Sequence, residues 1–228
     1  MTAPAVVCRP ARQVALDLYD RMLARAAGGD GAVLVLRDPA GHEHHVDAAR
    51  WCGADLPGDV GLLARCTGAT LDVGCGPGRL TGALLGAGRA ALGIDVSSAA
   101  VSLARARGAL ALRRDVFSAV PGEGRWEHLL LADGNIGIGG DPARLLRRCR
   151  ALIAEHGRIH VETEPPGAGT WSGPATLHDQ ARPDGAGAPL RWAQVAAGDL
   201  AGPARLAGLA VLTTWTEAGR WFATLAAG

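Results

Sequence analysis

The chain has 228 residues, of which 48% are hydrophobic and 20% are charged, and its formal net charge is +1. This length and composition fit a single α/β domain with an appended segment, and the near-zero charge argues against an electrostatic nucleic-acid surface. All 23 basic residues are arginine, which excludes lysine Schiff-base chemistry and a P-loop lysine.

The first 68 residues are predicted to form a cap that precedes the main domain. Residues 13–27 have the apolar spacing of an amphipathic helix. Residues 32–37 and 43–48 are predicted to form a hairpin across the turn at residues 38–41. We therefore expect two parts, a cap over residues 1–68 and a ligand-binding domain over residues 69–228.

From residue 69 onward, segments with strand and helix patterns alternate, which predicts a mainly parallel α/β sheet. Ser97 caps one predicted helix, and Asp141 with Pro142 opens another that has one apolar face. The predicted strands are residues 70–73, 90–95, 109–113, 128–132 and 158–163, and the helices between them are residues 79–85, 98–107 and 142–153.

The last third of the chain begins with residues 164–189, which are rich in proline and glycine and too long for a simple connector. We expect part of this stretch to form a hairpin around residues 182–189. A last helix is predicted near residues 199–207, and residues 209–216 and 220–225 are predicted to close the sheet as an antiparallel pair.

The cysteines are scattered, odd in number and without a C-x-x-C pair, at positions 8, 52, 66, 75 and 149. This pattern argues against a disulfide framework or a zinc cage, so no metal site is predicted and a reducing cytoplasm is favoured. The N-terminus lacks the features of a signal peptide, and no apolar run is long enough for a membrane span. We expect a cytoplasmic protein without membrane or nucleic-acid partners, as a monomer or homodimer.

The strongest motif is Asp72-x-Gly74-x-Gly76-x-Gly78, between the first predicted strand and its helix. Glycines at alternate positions let the backbone approach a ligand closely, and the helix that follows directs free N–H groups at it. A dinucleotide-binding loop needs G-x-G-x-x-G. This sequence has Arg79 where that pattern, counted from Gly74, requires glycine, so the nicotinamide alternative is disfavoured.

Two acidic residues follow the next strands in order. Asp95 ends the second predicted strand and Asp115 follows the third. Because ligands in open α/β sheets bind beyond the carboxyl ends of the strands, these side chains are expected to meet the glycine loop at one edge.

Residues 71–80 resemble the glycine-rich first motif of the class I S-adenosylmethionine (SAM) dependent methyltransferases, and the resemblance covers roughly residues 69–163 and more loosely the C-terminal strands. It implies a Rossmann-like doubly wound sheet, mostly parallel with an antiparallel C-terminal strand, and SAM as the cofactor. By position, it implies that Gly74, Gly76 and Gly78 line the methionine part of SAM and that Asp72 holds its ammonium group.

The same resemblance assigns the rest of the cofactor site. Asp95 would bind the ribose, with Val96 packed against adenine, and Asp115 with Val116 would flank the base. Ala132 would border the transferable methyl group. Many small-molecule methyltransferases have a Tyr-Asp pair on an N-terminal helix that folds over SAM, and Tyr19 matches this pattern, although a tyrosine packed in the core would give the same sequence.

The segment at residues 132–140 lacks the Asn-Pro-Pro-aromatic motif of enzymes that methylate nucleic-acid bases or glutamine, which argues against those substrates. Its four glycines are predicted to form a loop over the methyl group and the acceptor. The candidates for a catalytic base are Asp133, His45, Glu162 and Glu164, with Asp133 favoured by location. The histidines at positions 42, 44 and 45 are interpreted as a polar hairpin rather than a metal site, because only His42 and His44 share a face.

Taken together, the sequence predicts a methyltransferase that acts on a small-molecule O- or N-acceptor, from specialised metabolism, by in-line methyl transfer. The hairpin of the cap and residues 164–189 would form the lid and acceptor pocket, where Trp51 and Trp171 suit an apolar or aromatic acceptor. Two alternatives remain open at this point. One is a methyltransferase of RNA or protein, and the other is a SAM-binding protein without turnover.

Overall fold

The computed structural model describes residues 10–228, so Cys8 lies outside the described residues. The helices are α1 Ala11–Ala27, α2 Ala48–Cys52, α3 Asp59–Ala64, α4 Arg79–Gly86, α5 Ser98–Ala106, α6 Pro142–Leu152 and α7 Ala201–Leu206. The strands are β1 Val33–Arg37, β2 Glu43–Asp47, β3 Thr70–Val73, β4 Ala91–Asp95, β5 Ala111–Arg113, β6 Trp126–Leu131, β7 Ile153–Thr163, β8 Trp171–Asp179, β9 Ala188–Gln194, β10 Leu209–Glu217 and β11 Arg220–Ala227. Short 3-10 helices cover Asn135–Gly140 and Ala197–Asp199.

The large sheet has seven strands in the order β10-β11-β7-β6-β3-β4-β5. The pairs that join β7, β6, β3, β4 and β5 are parallel, whereas β11 is antiparallel to both β7 and β10. The predicted fold class is thereby confirmed. Because successive strands leave β3 first toward β5 and then toward β7, the strand order reverses at β3, which is where such sheets bind ligands.

The core of this sheet follows from its apolar strands. β3 and β4 are buried along their whole length, as expected for central strands covered on both faces. The main core joins Leu71, Leu129 and Ile159 of the sheet to Leu145 and Leu146 of α6, and each such buried side chain contributes about 1.5–3 kcal/mol. The predicted cap of α6 is present, since the Asp141 carboxylate accepts a hydrogen bond from the Arg144 amide.

A second, smaller sheet has the order β2-β1-β8-β9, with every pair antiparallel. It draws strands from the predicted cap and from the segment after β7, because β1 pairs with both β2 and β8. The hairpin expected around residues 182–189 is present, but its strands extend back to Trp171 and forward to Gln194. Helix α1 packs on this small sheet through Leu18 and Met22, which meet Leu34 in a separate core.

The small sheet contacts the large sheet through the glycines of the Asn135–Gly140 segment. A Cβ atom on Gly137 would lie 2.2 Å from the Ala193 carbonyl oxygen, and one on Gly140 would lie 3.0 Å from the Trp192 amide nitrogen. These two glycines therefore allow β9 to pass close to the segment. The prediction that this loop lies over the methyl group and the acceptor stays a prediction, and Gly137 and Gly140 themselves approach strand backbone.

Within residues 10–228, no helix has both the length and the apolar character needed to cross a membrane. The four cysteines in this range are free thiols. The described residues also contain no group of three or more histidine, cysteine or acidic side chains arranged to hold a metal ion.

Candidate functional site

The glycine loop follows β3 at the carboxyl edge of the large sheet. Its three glycines all have positive φ angles, 73° at Gly74, 52° at Gly76 and 81° at Gly78, so an L side chain is strained at each one. A Cβ on Gly78 would lie 2.8 Å from the Ala104 side chain, so Gly78 serves the packing of α4 on α5. A Cβ on Gly76 would lie 3.4 Å from the Tyr19 hydroxyl, which places Tyr19 directly over the loop.

Asn135 holds the loop from the other side. Its Nδ2 donates hydrogen bonds to the carbonyl oxygens of Val73 and Gly74, at 2.9 Å and 3.0 Å. A Cβ on Gly74 would lie 2.7 Å from Asn135 Nδ2, so Gly74 permits this contact. Sequence reasoning missed this role of Asn135, because a bond across 61 positions leaves no local pattern.

Asp72 lies beneath the loop and is 2% exposed. The Thr81 hydroxyl donates a hydrogen bond of 2.8 Å to its carboxylate. Burial raises the pKa of Asp72 to about 6, against the effects of Thr81 and the nearby Arg79. Asp72 therefore supports the loop from inside the core.

Asp95 ends β4 and is also buried. One carboxylate oxygen accepts a hydrogen bond of 3.0 Å from the Gly76 amide, and the other accepts one of 2.8 Å from the Ser97 amide. Burial raises the pKa of Asp95, although both amides oppose this. Burial, followed by the charge of Asp95, also raises the pKa of Tyr19 well above its ordinary value. Gly76, Asp95 and Tyr19 thus share one side of the loop.

A cleft of about 390 Å³ opens beside this group, and Arg12, Leu16, Val96 and Asp115 are among the residues that line it. Burial favours a higher pKa for Asp115, but the Phe117 amide and Arg12 outweigh it and hold this pKa below its ordinary value. The Arg12 guanidinium lies 2.7 Å from the Asp115 carboxylate. Helix α1 is thereby tied across the cleft.

Val116, which is predicted to flank adenine, directly follows Asp115 of the cleft. It is buried in the main core with the strands and α6, and its carbonyl accepts a hydrogen bond from Arg148. Ala132, at the end of β6, is buried in a third core cluster with Leu130 and Phe222. Val116 and Ala132 thus anchor the carboxyl ends of β5 and β6, which border the site.

Asp133 belongs to a buried network of five charged side chains. Arg79 binds Asp59 and Asp133, while Arg220 binds Asp59, Glu162 and Asp133. The Asp133 backbone has a φ angle of 53°, and its amide donates a hydrogen bond of 2.6 Å to Glu162. Burial raises the pKa of Asp133 even though both arginines oppose it. Since two arginines engage this carboxylate, its geometry suits fixing the site better than accepting a proton.

The histidines of β2 face opposite sides of the small sheet. His45 is 48% exposed and lies 3.6 Å from Glu43, on the outer face. His44 faces inward, where its ring centroid lies 5.9 Å from that of Trp171. The structure thus separates the predicted base His45 from the glycine loop and brings its neighbour His44 toward Glu164, whose pKa is influenced by the His44 charge. The alternation of side chains along a strand predicts that His44 and His45 lie on opposite faces, but it does not predict which face is the inner one.

The comparison with known proteins agrees with this geometry. Residues 70–157, from β3 into β7, match the family model of a methyltransferase domain. No curated protein matches the chain.

Several solved structures share the fold. A SAM-dependent methyltransferase from Bacteroides fragilis, in complex with S-adenosyl-L-homocysteine, is 21% identical with a TM-score of 0.74, over 96% of this chain and 97% of that one. The 1,6-didemethyltoxoflavin-N1-methyltransferase of Burkholderia thailandensis is 19% identical with a TM-score of 0.56, over 99% and 92%. The CcbJ methyltransferase of Streptomyces caelestis is 16% identical with a TM-score of 0.59, over 77% and 92%.

Proposed function

Because residues 70–157 match the family model of a methyltransferase domain and belong to a mostly parallel seven-stranded sheet, we propose that this chain transfers the methyl group of SAM to a small-molecule acceptor. The observation that carries the proposal is the convergence of Gly76, Asp95 and Tyr19 at the carboxyl edge of the sheet, beside the cleft lined by Val96 and Asp115. Similar proteins support it, since the relative from Bacteroides fragilis is in complex with S-adenosyl-L-homocysteine.

The residues of the site fit this cofactor. The Asp95 carboxylate accepts one amide on each oxygen, and a carboxylate has about four lone-pair sites, so both oxygens retain capacity for the ribose hydroxyls. Gly74 and Gly76 would lie along the methionine part, with Asp72 near its ammonium group. Val96 and Asp115 would flank adenine, and Tyr19 would cover the loop.

When bound, the cofactor supplies a methyl group on a positively charged sulfur, which is a good leaving group. The chain therefore has mainly to position the acceptor and to exclude water. The network of Arg79, Arg220, Asp59, Glu162 and Asp133 fixes the strand ends where the acceptor would arrive. We assign Asp133 a positioning role, because its carboxylate is bound by Arg79 and Arg220.

The small sheet is well placed to cover the acceptor. Its strand β9 packs against the Asn135–Gly140 segment, and Glu164 at the end of β7 bridges to Ala196 after β9. The relative from Burkholderia thailandensis acts on 1,6-didemethyltoxoflavin and spans nearly the whole of this chain. The position of the small sheet and the acceptor of this relative both support a small acceptor that is held between the two sheets.

The cofactor assignment is tested by calorimetric titration of SAM and S-adenosyl-L-homocysteine into the protein. We expect Asp95→Asn to weaken both by about 1.5–3 kcal/mol, or roughly 10- to 150-fold, because hydrogen bonds to a charged group are lost. Asp30→Asn, at an exposed position after α1, is the matched control. Equal affinities for Asp95→Asn and the wild type would refute the assignment.

The acceptor class is tested by incubating the protein with methyl-labelled SAM and a cell extract. We expect the label in the small-molecule fraction. Label in RNA or protein would show a macromolecule methyltransferase instead. If the protein binds SAM and the label stays on SAM in every fraction, the chain is a binding protein without turnover.

A further inference from the structure

The inner face of the small sheet carries the rings of His44 and Trp171 beside two leucines. Residues that alternate along β8 share a face, so Trp171 lies on the same side as Leu177. His44 pairs with Leu36 in register and shares its side of the sheet. Leu36 is in turn the register partner of Leu177. The two rings therefore stand on the face that also holds these leucines.

The rings of His44 and Trp171 meet although they are far apart along the sheet. Trp171 is six residues along β8 from Leu177, which in a flat sheet would place it about 20 Å from the level of His44. The ring centroids are nevertheless 5.9 Å apart, with the planes tilted by 31°. The start of β8, which does not pair with β1 before Thr176, therefore approaches the side of β2, and we call the place where the two rings meet the aromatic cup.

Both rings carry a buried nitrogen without a partner. His44 Nε2 and Trp171 Nε1 are shielded from solvent and have no hydrogen-bond partner among residues 10–228. A buried polar group left unpaired costs about 1–3 kcal/mol. A ligand that reaches these ring edges would satisfy both nitrogens.

Charged groups approach His44 from two elements. In the β1–β2 turn, Asp38 lies 3.7 Å from His44 Nε2, and the same carboxylate oxygen pairs with His42 at 3.0 Å. At the end of β7, Glu164 is held by backbone hydrogen bonds to Val195 and Ala197. Burial raises the pKa of Glu164, and the His44 charge opposes this. His44 therefore has an acidic neighbour on each of these two elements.

We propose that the aromatic cup is the acceptor site and that it takes a planar ring compound bearing a hydroxyl group. This proposal rests on the function proposed above and specifies its substrate class. The hydroxyl end of the compound enters at the edges of the two rings, where Trp171 Nε1 donates a hydrogen bond to it and His44 Nε2 accepts the hydroxyl proton. Asp38 then stabilises the resulting imidazolium.

The step balances without a further reactant. The bond that forms joins the acceptor oxygen to the methyl carbon, and the bond that breaks joins this carbon to the sulfur, which keeps the electron pair and becomes neutral. The hydroxyl proton passes to His44 Nε2 and leaves to solvent after the product departs. His45, on the outer face, has no part in this step.

The test uses 4-nitrophenol as the probe and the full chain saturated with S-adenosyl-L-homocysteine, at a pH where the free probe is mainly neutral. Binding is followed by the visible absorption of the phenolate, which reports proton transfer and not merely a folded pocket. We expect saturable binding as the phenolate. His44→Ala should lose the phenolate band and weaken binding about tenfold or more, a difference of about 1.4 kcal/mol. His45→Ala, the neighbouring residue on the opposite face, should match the wild type.

Trp171→Phe provides the second variant, because it keeps an aromatic ring and removes only the Nε1 donor. It should weaken binding about tenfold while the phenolate band of the bound probe remains. Titration of S-adenosyl-L-homocysteine into each variant shows separately whether the cofactor site is intact.

Absence of probe binding by the wild type, or equal losses in His44→Ala and His45→Ala, would overturn the aromatic cup as the acceptor site. Failure of the wild type to bind S-adenosyl-L-homocysteine would instead overturn the proposed function. The two failures are therefore distinguishable.

Discussion

Gly137→Ala probes the contact that joins the two sheets. Gly137 has no positive φ angle, so alanine introduces no backbone strain there. The added Cβ, however, would lie 2.2 Å from the Ala193 carbonyl oxygen and 2.5 Å from Trp192 Nε1. A carbon normally approaches a carbonyl oxygen to about 3.3 Å, so either β9 or the Asn135–Gly140 segment has to move by about 1 Å.

The expected cost is that of overpacking, about 1–3 kcal/mol. For a chain of this size, 1 kcal/mol corresponds to a change of about 2–4 °C in the melting temperature. We therefore expect Gly137→Ala to lower the melting temperature by roughly 2–12 °C. The affinity for S-adenosyl-L-homocysteine should change little, because Gly137 lies on the side of the segment that faces β9.

Urea denaturation followed by circular dichroism, together with differential scanning fluorimetry, measures this cost. Gly86→Ala is the control, because no other atom lies within 4 Å of its added Cβ and the residue ends helix α4; it should be neutral or gain about 0.5–1 kcal/mol. A Gly137→Ala protein as stable as the wild type would show that β9 does not pack on this segment as described.

Two further substitutions test the buried charges. Arg220→Met removes the arginine that binds Glu162 and one of the two arginines that bind Asp59, so the free energy of unfolding should fall by about 3–5 kcal/mol. Arg65→Met, at an exposed arginine that lies over the half-buried ring of Trp215, should cost far less, and similar losses in urea melts would contradict the network. Asp72 has its pKa raised from 3.8 to about 6, so the folded state binds its proton more tightly and the wild type loses up to about 3 kcal/mol of stability as the pH rises from below 4 to above 6. Asp72→Asn should lack this loss, and parallel stability curves for the two proteins between these pH values would count against the shift.

The large sheet could be predicted from the sequence because the patterns that specify its strands and helices are local. β3, β4 and β6 are short apolar runs that end in a glycine or an acidic residue, and Asp141 and Ser97 mark helix starts by their own side-chain caps. Parallel strands also carry their ligand residues to one edge by topology alone. The positions of Gly76 and Asp95 beside each other follow from that rule.

The small sheet could not be predicted in the same way, because its pairing is non-local. β1 is bonded to β8 across more than 130 positions, and nothing in residues 33–37 specifies a partner that far along the chain. His44 and His45 show the limit of what local sequence patterns can predict. Strand alternation separates His44 from His45, but only the position of Trp171 decides which of them faces the site.

Arg79 shows how one residue can carry both kinds of information. In the sequence, its presence after Gly78 excludes a dinucleotide loop, because that pattern requires glycine at this position. In the structure, its guanidinium is buried between Asp59 and Asp133, so the last residue of the glycine motif is bonded to the strand end where the acceptor is proposed to arrive. A change at Arg79 should therefore disturb the glycine loop and the end of β6 at once. This coupling explains why a buried arginine stands at the position where a nicotinamide-binding protein has glycine.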